Sequence, residues 1–153
     1  MKDDRIKILL VEDDEFDSFM TRQYLKKGKL NYRLTIVKTG SEALDCLHSR
    51  GHYKHARLPD LILVDIGLPD MDGREILETL KEDPRLGQIP VVILTGQKLE
   101  ENPIKQFNLY EHTYLNKWVN MEEFLSLITA VADCRLSANK QHSIQLVQTI
   151  ETR

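Results

Sequence analysis

The chain has 153 residues, a formal net charge of −3 and 41% hydrophobic residues, a composition typical of a single globular domain. The mildly negative charge gives no reason to expect a nucleic-acid partner. No apolar run is long enough to span a membrane and no signal peptide is visible, so we expect a cytoplasmic protein without a membrane partner. We predict one domain over residues 1–136, followed by a C-terminal tail at 137–153 without a separate output domain.

Apolar runs and helical patterns alternate along the chain. The predicted strands are Ile6–Val11, Tyr32–Thr39, Leu61–Asp65, Val91–Thr95 and His112–Asn116. The predicted helices are about Glu15–Lys27, Ser41 to near Gly51, a third that starts after Asp72 and runs to about Lys81, about Ile104–Asn108 and Met121–Leu136. Five β-α repeats predict an α/β fold, a doubly wound five-stranded parallel sheet of order 2-1-3-4-5 with five helices, flavodoxin-like.

Details of the first two helices can also be predicted. Phe16, Phe19 and Met20, with Tyr24, recur at helical spacing, which predicts that they form the apolar side of the first helix. Gly28 is expected to end that helix. Ser41 is expected to cap the second helix.

Three carboxylates are predicted to meet at the carboxyl edge of the sheet. Glu12 and Asp13 follow the first strand directly, and Asp65 ends the third. These strands are neighbours at the switch point, where open α/β sheets bind ligands. Carboxylates about 4 Å apart repel by about 4 kcal/mol per pair at an effective dielectric constant of about 20, so a proton or a cation must relieve the repulsion. An oxygen-only site open to water suits Mg²⁺, although Asp13 and Asp14 could instead merely cap the first helix.

Two further strand ends carry groups suited to a phosphoryl group. Thr95 ends the fourth strand with a hydroxyl donor, and Lys117 follows the fifth strand with an ammonium group. Each alone could be an ordinary surface residue. Together with the carboxylates and a cation, they would neutralise a phosphoryl group and donate hydrogen bonds to it.

These segments resemble the four signatures of response-regulator receiver domains, over about residues 6–135. The matching segments are Leu10-Val11-Glu12-Asp13-Asp14, LILVDIGLPDMDG at 61–73, Val92-Ile93-Leu94-Thr95-Gly96 and Tyr114-Leu115-Asn116-Lys117. The resemblance implies a protein that accepts a phosphoryl group from a sensor histidine kinase. It is not expected to be an enzyme, although it would assist its own Mg²⁺-dependent phosphorylation and dephosphorylation.

The resemblance also implies a role for each carboxylate of the site. Asp65 matches the phosphoacceptor, a carboxylate nucleophile. Asp13, Asp65 and the backbone carbonyl of Gly67 match the ligands of Mg²⁺ (or Mn²⁺), and Glu12 acts on the metal through water.

Three more matches define the expected switch. Lys117 matches the lysine that pairs with the phosphoryl oxygens, and Thr95 matches the hydroxyl that moves to bond one of them. Tyr114 matches the aromatic residue that turns inward when Thr95 moves. The surface expected to respond comprises the fourth helix, the fifth strand and the fifth helix, and is called the helix 4–strand 5–helix 5 face below.

Most receivers have proline after the active-site lysine, whereas Trp118 follows Lys117 here. This departure, the His52-Tyr53 loop, the segment 83–92 and the short tail are most similar to the small stand-alone response regulators of cyanobacterial phytochrome histidine kinases. That resemblance implies a phytochrome kinase as partner and a homodimer formed through the helix 4–strand 5–helix 5 face.

The same residues allow two alternative functions, a phosphatase and a binding-only module. A metal-dependent phosphatase with an aspartyl-phosphate intermediate could use a similar sheet, but such enzymes usually carry a second aspartate two residues after the nucleophile. The residue at that position is Gly67. A binding-only module with an inactive acid site is disfavoured by the presence of Asp13, Asp65, Thr95 and Lys117.

The segment Asp70-Met71-Asp72-Gly73 resembles part of a calcium loop. The positions of the first and last ligands would be Leu68 and Thr79, which cannot serve as the required ligands. We interpret Asp72 as the N-cap of the third helix, with Glu75 completing a capping-box-like pair.

Overall fold

The computed structural model describes residues 4–95, 113–116, 122, 124–126 and 128–130. Its strands are β1 (Ile6–Val11), β2 (Tyr32–Val37), β3 (Leu61–Asp65), β4 (Val91–Thr95) and β5 (Thr113–Asn116). Its helices are α1 (Glu15–Lys27), α2 (Gly40–Leu47), a 3₁₀ turn at Gly51–Tyr53 and α3 (Gly73–Lys81). Residues 122, 124–126 and 128–130 are also helical, within the predicted fifth helix, whereas the predicted helix at 104–108 lies outside the described residues.

All strand pairs are parallel and their order is β2-β1-β3-β4-β5, which confirms the predicted fold class. β3 is buried along its whole length, which explains why its apolar run is unbroken. Its alternate side chains face opposite sides of the sheet. Leu63 packs in a core that includes residues of α1, whereas Val64 packs in a second core with residues of α2 and α3.

The register of the strands brings their carboxyl ends to one edge. Val11 pairs with Val64, so the residues that follow, Glu12 and Asp65, emerge side by side. Asp65 in turn pairs with Leu94, the residue before Thr95. Strand order and register therefore place the predicted functional positions of the first, third and fourth strands at the same edge.

The apolar side predicted for α1 is wrong at two positions. Phe16 and Phe19 are 62% and 53% exposed. The buried residues of α1 are Thr21, Tyr24 and Leu25. The prediction is correct for Tyr24, and Met20 is partly buried against the same core. Thr21 occupies a further buried position, where its hydroxyl donates to the carbonyl of Asp17 at 3.0 Å. A pattern based on apolar residues alone could not include this threonine.

Helix ends agree with the predictions at α1 but not at α2. Gly28 follows the last residue of α1, as predicted. The N-cap of α2 is Thr39 rather than Ser41, because the hydroxyl of Thr39 accepts a hydrogen bond from the Glu42 amide at 3.0 Å. Ser41 consequently lies inside the first turn.

No helix in the part of the chain that the structure describes has both the length and the apolar character needed to cross a membrane.

Candidate functional site

Three carboxylates converge where β1 and β3 end. One carboxylate oxygen from each of Glu12, Asp13 and Asp65 lies within 4.8 Å of the other two. Glu12 is 1% exposed and Asp65 is 8% exposed, whereas Asp13 is exposed. Charges this close to one another, two of them largely removed from water, favour a bound cation, and the trio can supply oxygen ligands to a divalent metal.

The turn from β1 into α1 gives each of its acids a different position. Glu12 is fixed by its backbone amide, which donates to the Val37 carbonyl at 2.9 Å. Asp14 is the N-cap of α1, and its carboxylate accepts from the Asp17 amide at 2.9 Å. The alternative in which Asp13 and Asp14 merely cap this helix is therefore correct for Asp14, which is the N-cap, but not for Asp13, which joins the carboxylate trio.

The loop after β3 packs tightly against the backbone of Asp65. The Gly73 amide donates to the Ile66 carbonyl at 2.9 Å, and Gly67 forms an isolated antiparallel bridge with Asp72. A Cβ added at Gly73 would fall far inside van der Waals contact with the Asp65 carbonyl oxygen, whereas one added at Gly67 would meet no atom within 4 Å. Close backbone approach thus requires glycine at Gly73 and not at Gly67.

Asp72 starts α3 as predicted. Its carboxylate accepts from the Arg74 amide at 2.9 Å, which makes it the N-cap. The Arg74 side chain also binds this carboxylate, in place of the expected pairing with Glu75. Chiefly because of the hydrogen bond from the Arg74 side chain, the pKa of Asp72 lies below its usual range, so the cap is ionised at neutral pH.

Asp70 ties the same loop to the start of α2. Its two carboxylate oxygens accept from the amides of Gly40, at 2.8 Å, and Ser41, at 2.9 Å. Met71 packs so closely on Gly40 that a Cβ there would clash with its side chain. Partial burial raises the pKa of Asp70, but the hydrogen bonds from the Ser41 and Gly40 amides outweigh it and leave the pKa lowered. Asp70 therefore serves α2 as a second, distant cap.

The remaining predicted site residues lie along β4 and β5. Thr95 is the last residue of β4 and pairs with Asn116. Tyr114 lies within β5 and pairs with Ile93. Lys117 follows Asn116 in the sequence and lies outside the described residues, as do Trp118 and residues 131–153.

The fold and the site define a class of protein. The model of the response regulator receiver domain family matches residues 8–129, and the chain belongs to this family. No finding supports the phosphatase alternative, and Gly67 has no side chain that could act as its general acid.

Individual relatives show which response regulators this chain is similar to. Response regulator Rcp1 of Synechocystis sp. (strain ATCC 27184 / PCC 6803 / Kazusa) is 36% identical over 124 residues, which cover 81% of this chain and 84% of Rcp1. The crystal structure of the phosphorylated cyanobacterial phytochrome response regulator RcpA is 34% identical with a TM-score of 0.71, and the match covers 88% of this chain and 96% of RcpA. The Mn²⁺-bound form of Rcp1 is 35% identical with a TM-score of 0.68, covering 85% and 91% of the two chains. The protein is a receiver-domain response regulator similar to those of phytochrome systems.

Proposed function

We propose that Asp65 is the phosphoacceptor of this response regulator and takes its phosphoryl group from a phosphohistidine of a sensor histidine kinase. The observation that carries the proposal is the position of Asp65 beside Glu12 and Asp13, with carboxylate oxygens within 4.8 Å. In the transfer, a carboxylate oxygen of Asp65 bonds to phosphorus, the P–N bond of the phosphohistidine breaks, and the imidazole leaves.

The metal proposed for this site is Mg²⁺ (or Mn²⁺). Asp13, Asp65 and the backbone carbonyl of Gly67 would bind it directly and Glu12 through water, a donor set made only of oxygen, as hard cations prefer. The exposure of Asp13 supports its role, because a hydrated cation can reach its carboxylate. When bound, the metal would supply positive charge to offset the phosphoryl oxygens.

The switch proposed for the phosphorylated state uses Thr95, Lys117 and Tyr114. The register supports it, since Thr95 follows Leu94, the β4 partner of Asp65, and Lys117 continues directly from Asn116, the β5 partner of Thr95. Thr95 and Lys117 would bind the phosphoryl oxygens while Tyr114 turns inward. The change would be read at the helix 4–strand 5–helix 5 face.

The proposed kinase is a phytochrome histidine kinase, and the proposed assembly is a homodimer through the helix 4–strand 5–helix 5 face. The likeness to Rcp1 and to the phytochrome response regulator RcpA supports the kinase assignment. We further propose a receiver domain at 1–136 with a tail at 137–153, acting in the cytoplasm without a nucleic-acid or membrane partner. Phosphotransfer from phytochrome kinases, followed by sedimentation with and without phosphorylation, tests both the kinase and the dimer.

Labelling with radioactive acetyl phosphate tests the phosphoacceptor. We expect label in wild type with Mg²⁺, none with EDTA, and none in Asp65→Asn. Asp60→Asn is the matched control, because Asp60 precedes β3 at its other end and an asparagine oxygen can still accept from the Lys7 amide. Unlabelled wild type, or equal labelling of Asp65→Asn and Asp60→Asn, would contradict the proposal.

Metal titration tests the ligand roles separately from phosphorylation. We expect Asp13→Asn to weaken Mg²⁺ binding by at least about tenfold, because one charged ligand is lost. Asp14→Asn is the control, since asparagine is an equally good N-cap and Asp14 lies outside the trio. Equal losses in the two variants would mean that the turn, and not a specific ligand, determines the affinity.

A further inference from the structure

A second concave site lies at the opposite end of the sheet from the carboxylates. It is a cleft of about 370 Å³ between the first halves of β1 and β2, the end of α2 and the segment 53–59. It is called the basic cleft below. Lys7, in its lining, is five residues before Glu12 along β1, so the cleft lies about 16 Å from the carboxylate trio.

The outer wall of the basic cleft is fixed at both ends. At one end, the Tyr53 hydroxyl donates to a carboxylate oxygen of Glu42 on α2 at 2.7 Å. At the other end, Asp60 accepts from the Lys7 amide at 2.8 Å and donates from its own amide to the Lys7 carbonyl at 2.7 Å. The cleft is thus preformed, which lowers the entropic cost of binding a ligand.

The lining of the basic cleft carries positive charge. Its lysine and arginine side chains are Lys7, Arg33 and Arg57, and the nearby carboxylates of Glu42 and Asp60 lie outside the lining, bonded to the Tyr53 hydroxyl and the Lys7 amide. Lys7 and Arg33 are register partners on neighbouring strands, which are about 4.8 Å apart. Within the described residues, neither of these two nor Arg57 forms an ion pair with a carboxylate. Because the whole chain has a net charge of −3, this cluster is not a consequence of its overall charge.

The interior of the basic cleft is apolar. Leu9, Cys46, Ala56 and Pro59 contribute to it, together with the aromatic ring of Tyr53. Its volume falls in the range of small-molecule sites, which combine apolar walls with a few polar groups that fix orientation. Arginine side chains can both stack on a planar ring and pair with phosphate oxygens.

We propose that the basic cleft binds a nucleotide, with the phosphate held by Lys7, Arg33 and Arg57 and the base against the apolar wall formed by Tyr53 and Pro59. The site does not depend on the phosphoacceptor role of Asp65. It lies at the other end of the strands from the carboxylate trio.

Nuclear magnetic resonance titration of the full chain tests the proposal, with AMP and GMP as probes. Inorganic phosphate and adenosine are the comparison ligands. We expect saturable shifts of amides in β2 and in 53–59 with a nucleotide, and binding at least about tenfold weaker with phosphate alone or with adenosine. The double variant Arg33→Ala/Arg57→Ala should bind at least about tenfold more weakly, whereas Arg22→Ala, an exposed arginine on α1, should bind like wild type.

Three results would overturn the proposal. They are the absence of saturable shifts with either nucleotide, equal affinity in the double variant and in Arg22→Ala, and phosphate binding as tightly as the nucleotides. All three arginines are exposed, so their removal should leave the fold intact, which the spectra of the free variants check directly.

Discussion

The two ends of the parallel sheet differ in charge and in construction. The carboxyl end brings together Glu12, Asp13 and Asp65, and its loop approaches the Asp65 backbone too closely for any side chain at Gly73. The amino end is an open basic cleft whose wall is attached by one hydrogen bond from Tyr53 to Glu42 and by two between Asp60 and Lys7. Chemistry that depends on fixed distances between charges suits the first end, whereas reversible binding of a small anion suits the second.

Substitutions at Gly73 and Gly67 test how closely the loop after β3 packs on the Asp65 backbone, and they should give the largest effect. Gly73→Ala should lower the free energy of unfolding by about 1 to 3 kcal/mol, because the new Cβ meets the Asp65 carbonyl oxygen and the Val64 side chain. Gly67→Ala is the control, with open space around its Cβ and an expected change within about 0.5 kcal/mol. Urea denaturation measures both. Equal stability of the two variants would show that the loop can move away from Asp65.

Removing the Tyr53 hydroxyl tests how the wall of the basic cleft is attached to α2. Tyr53→Phe should lower the free energy of unfolding by about 1 kcal/mol, since the bond to Glu42 is lost and Glu42 can turn to water. Burial, followed by the hydrogen bond to Glu42, raises the pKa of Tyr53 to about 12. Because the folded pKa exceeds the unfolded value, the stability from Tyr53 is complete below pH 10 and is lost as the pH rises toward 12.

Absorbance at 295 nm, recorded against pH for wild type and Tyr53→Phe, isolates this titration. If the absorbance difference between the two proteins has its midpoint near pH 10, the hydrogen bond from Tyr53 to Glu42 does not hold the wall, because a tyrosine without it titrates at its ordinary pKa.

The distant cap of α2 should give the smallest effect. Asp70→Asn should lower the free energy of unfolding at pH 7 by about 0.5 to 1 kcal/mol, because asparagine has only one acceptor oxygen for the two amides of Gly40 and Ser41 and also loses the charge at the helix N-terminus. The pKa of Asp70 is lowered in the folded protein, so its contribution is present above the ordinary aspartate pKa and is lost as the pH falls through the lower folded value.

Urea denaturation of wild type and Asp70→Asn at pH 7 and in acid measures this difference. A gap between the two proteins that stays constant into strong acid would show that the charge of Asp70 plays no part in capping α2.

Features that depend on neighbouring residues could be predicted from the sequence, whereas contacts between distant segments could not. The sheet and the carboxylate trio were predictable because Glu12 and Asp65 each come directly after an apolar run, Asp13 follows Glu12, and parallel strands share one carboxyl edge. Asp70 was not, because its partners Gly40 and Ser41 lie about thirty residues earlier in the sequence. The close approach at Gly73 depends on how the loop folds back on Asp65.

The basic cleft was missed for a related reason. Its cationic residues come from β1, β2 and the segment after the 3₁₀ turn, and no local pattern joins them. Phe16 and Phe19 show the converse error, because a correct helical period assigned to the buried face two side chains that are exposed. The sequence could likewise not decide whether Asp13 or Asp14 is the N-cap of α1, because this depends on the conformation of the turn.

The most direct test of the central claim is to locate the phosphoryl group chemically. Protein treated with acetyl phosphate and Mg²⁺ is reduced with borohydride, which converts an aspartyl phosphate to homoserine, and is then mapped by mass spectrometry. We predict homoserine at position 65 and unchanged acids at Glu12 and Asp13. Homoserine at another position, or none at 65 when the intact mass shows phosphorylation, would contradict the assignment of Asp65 as the phosphoacceptor.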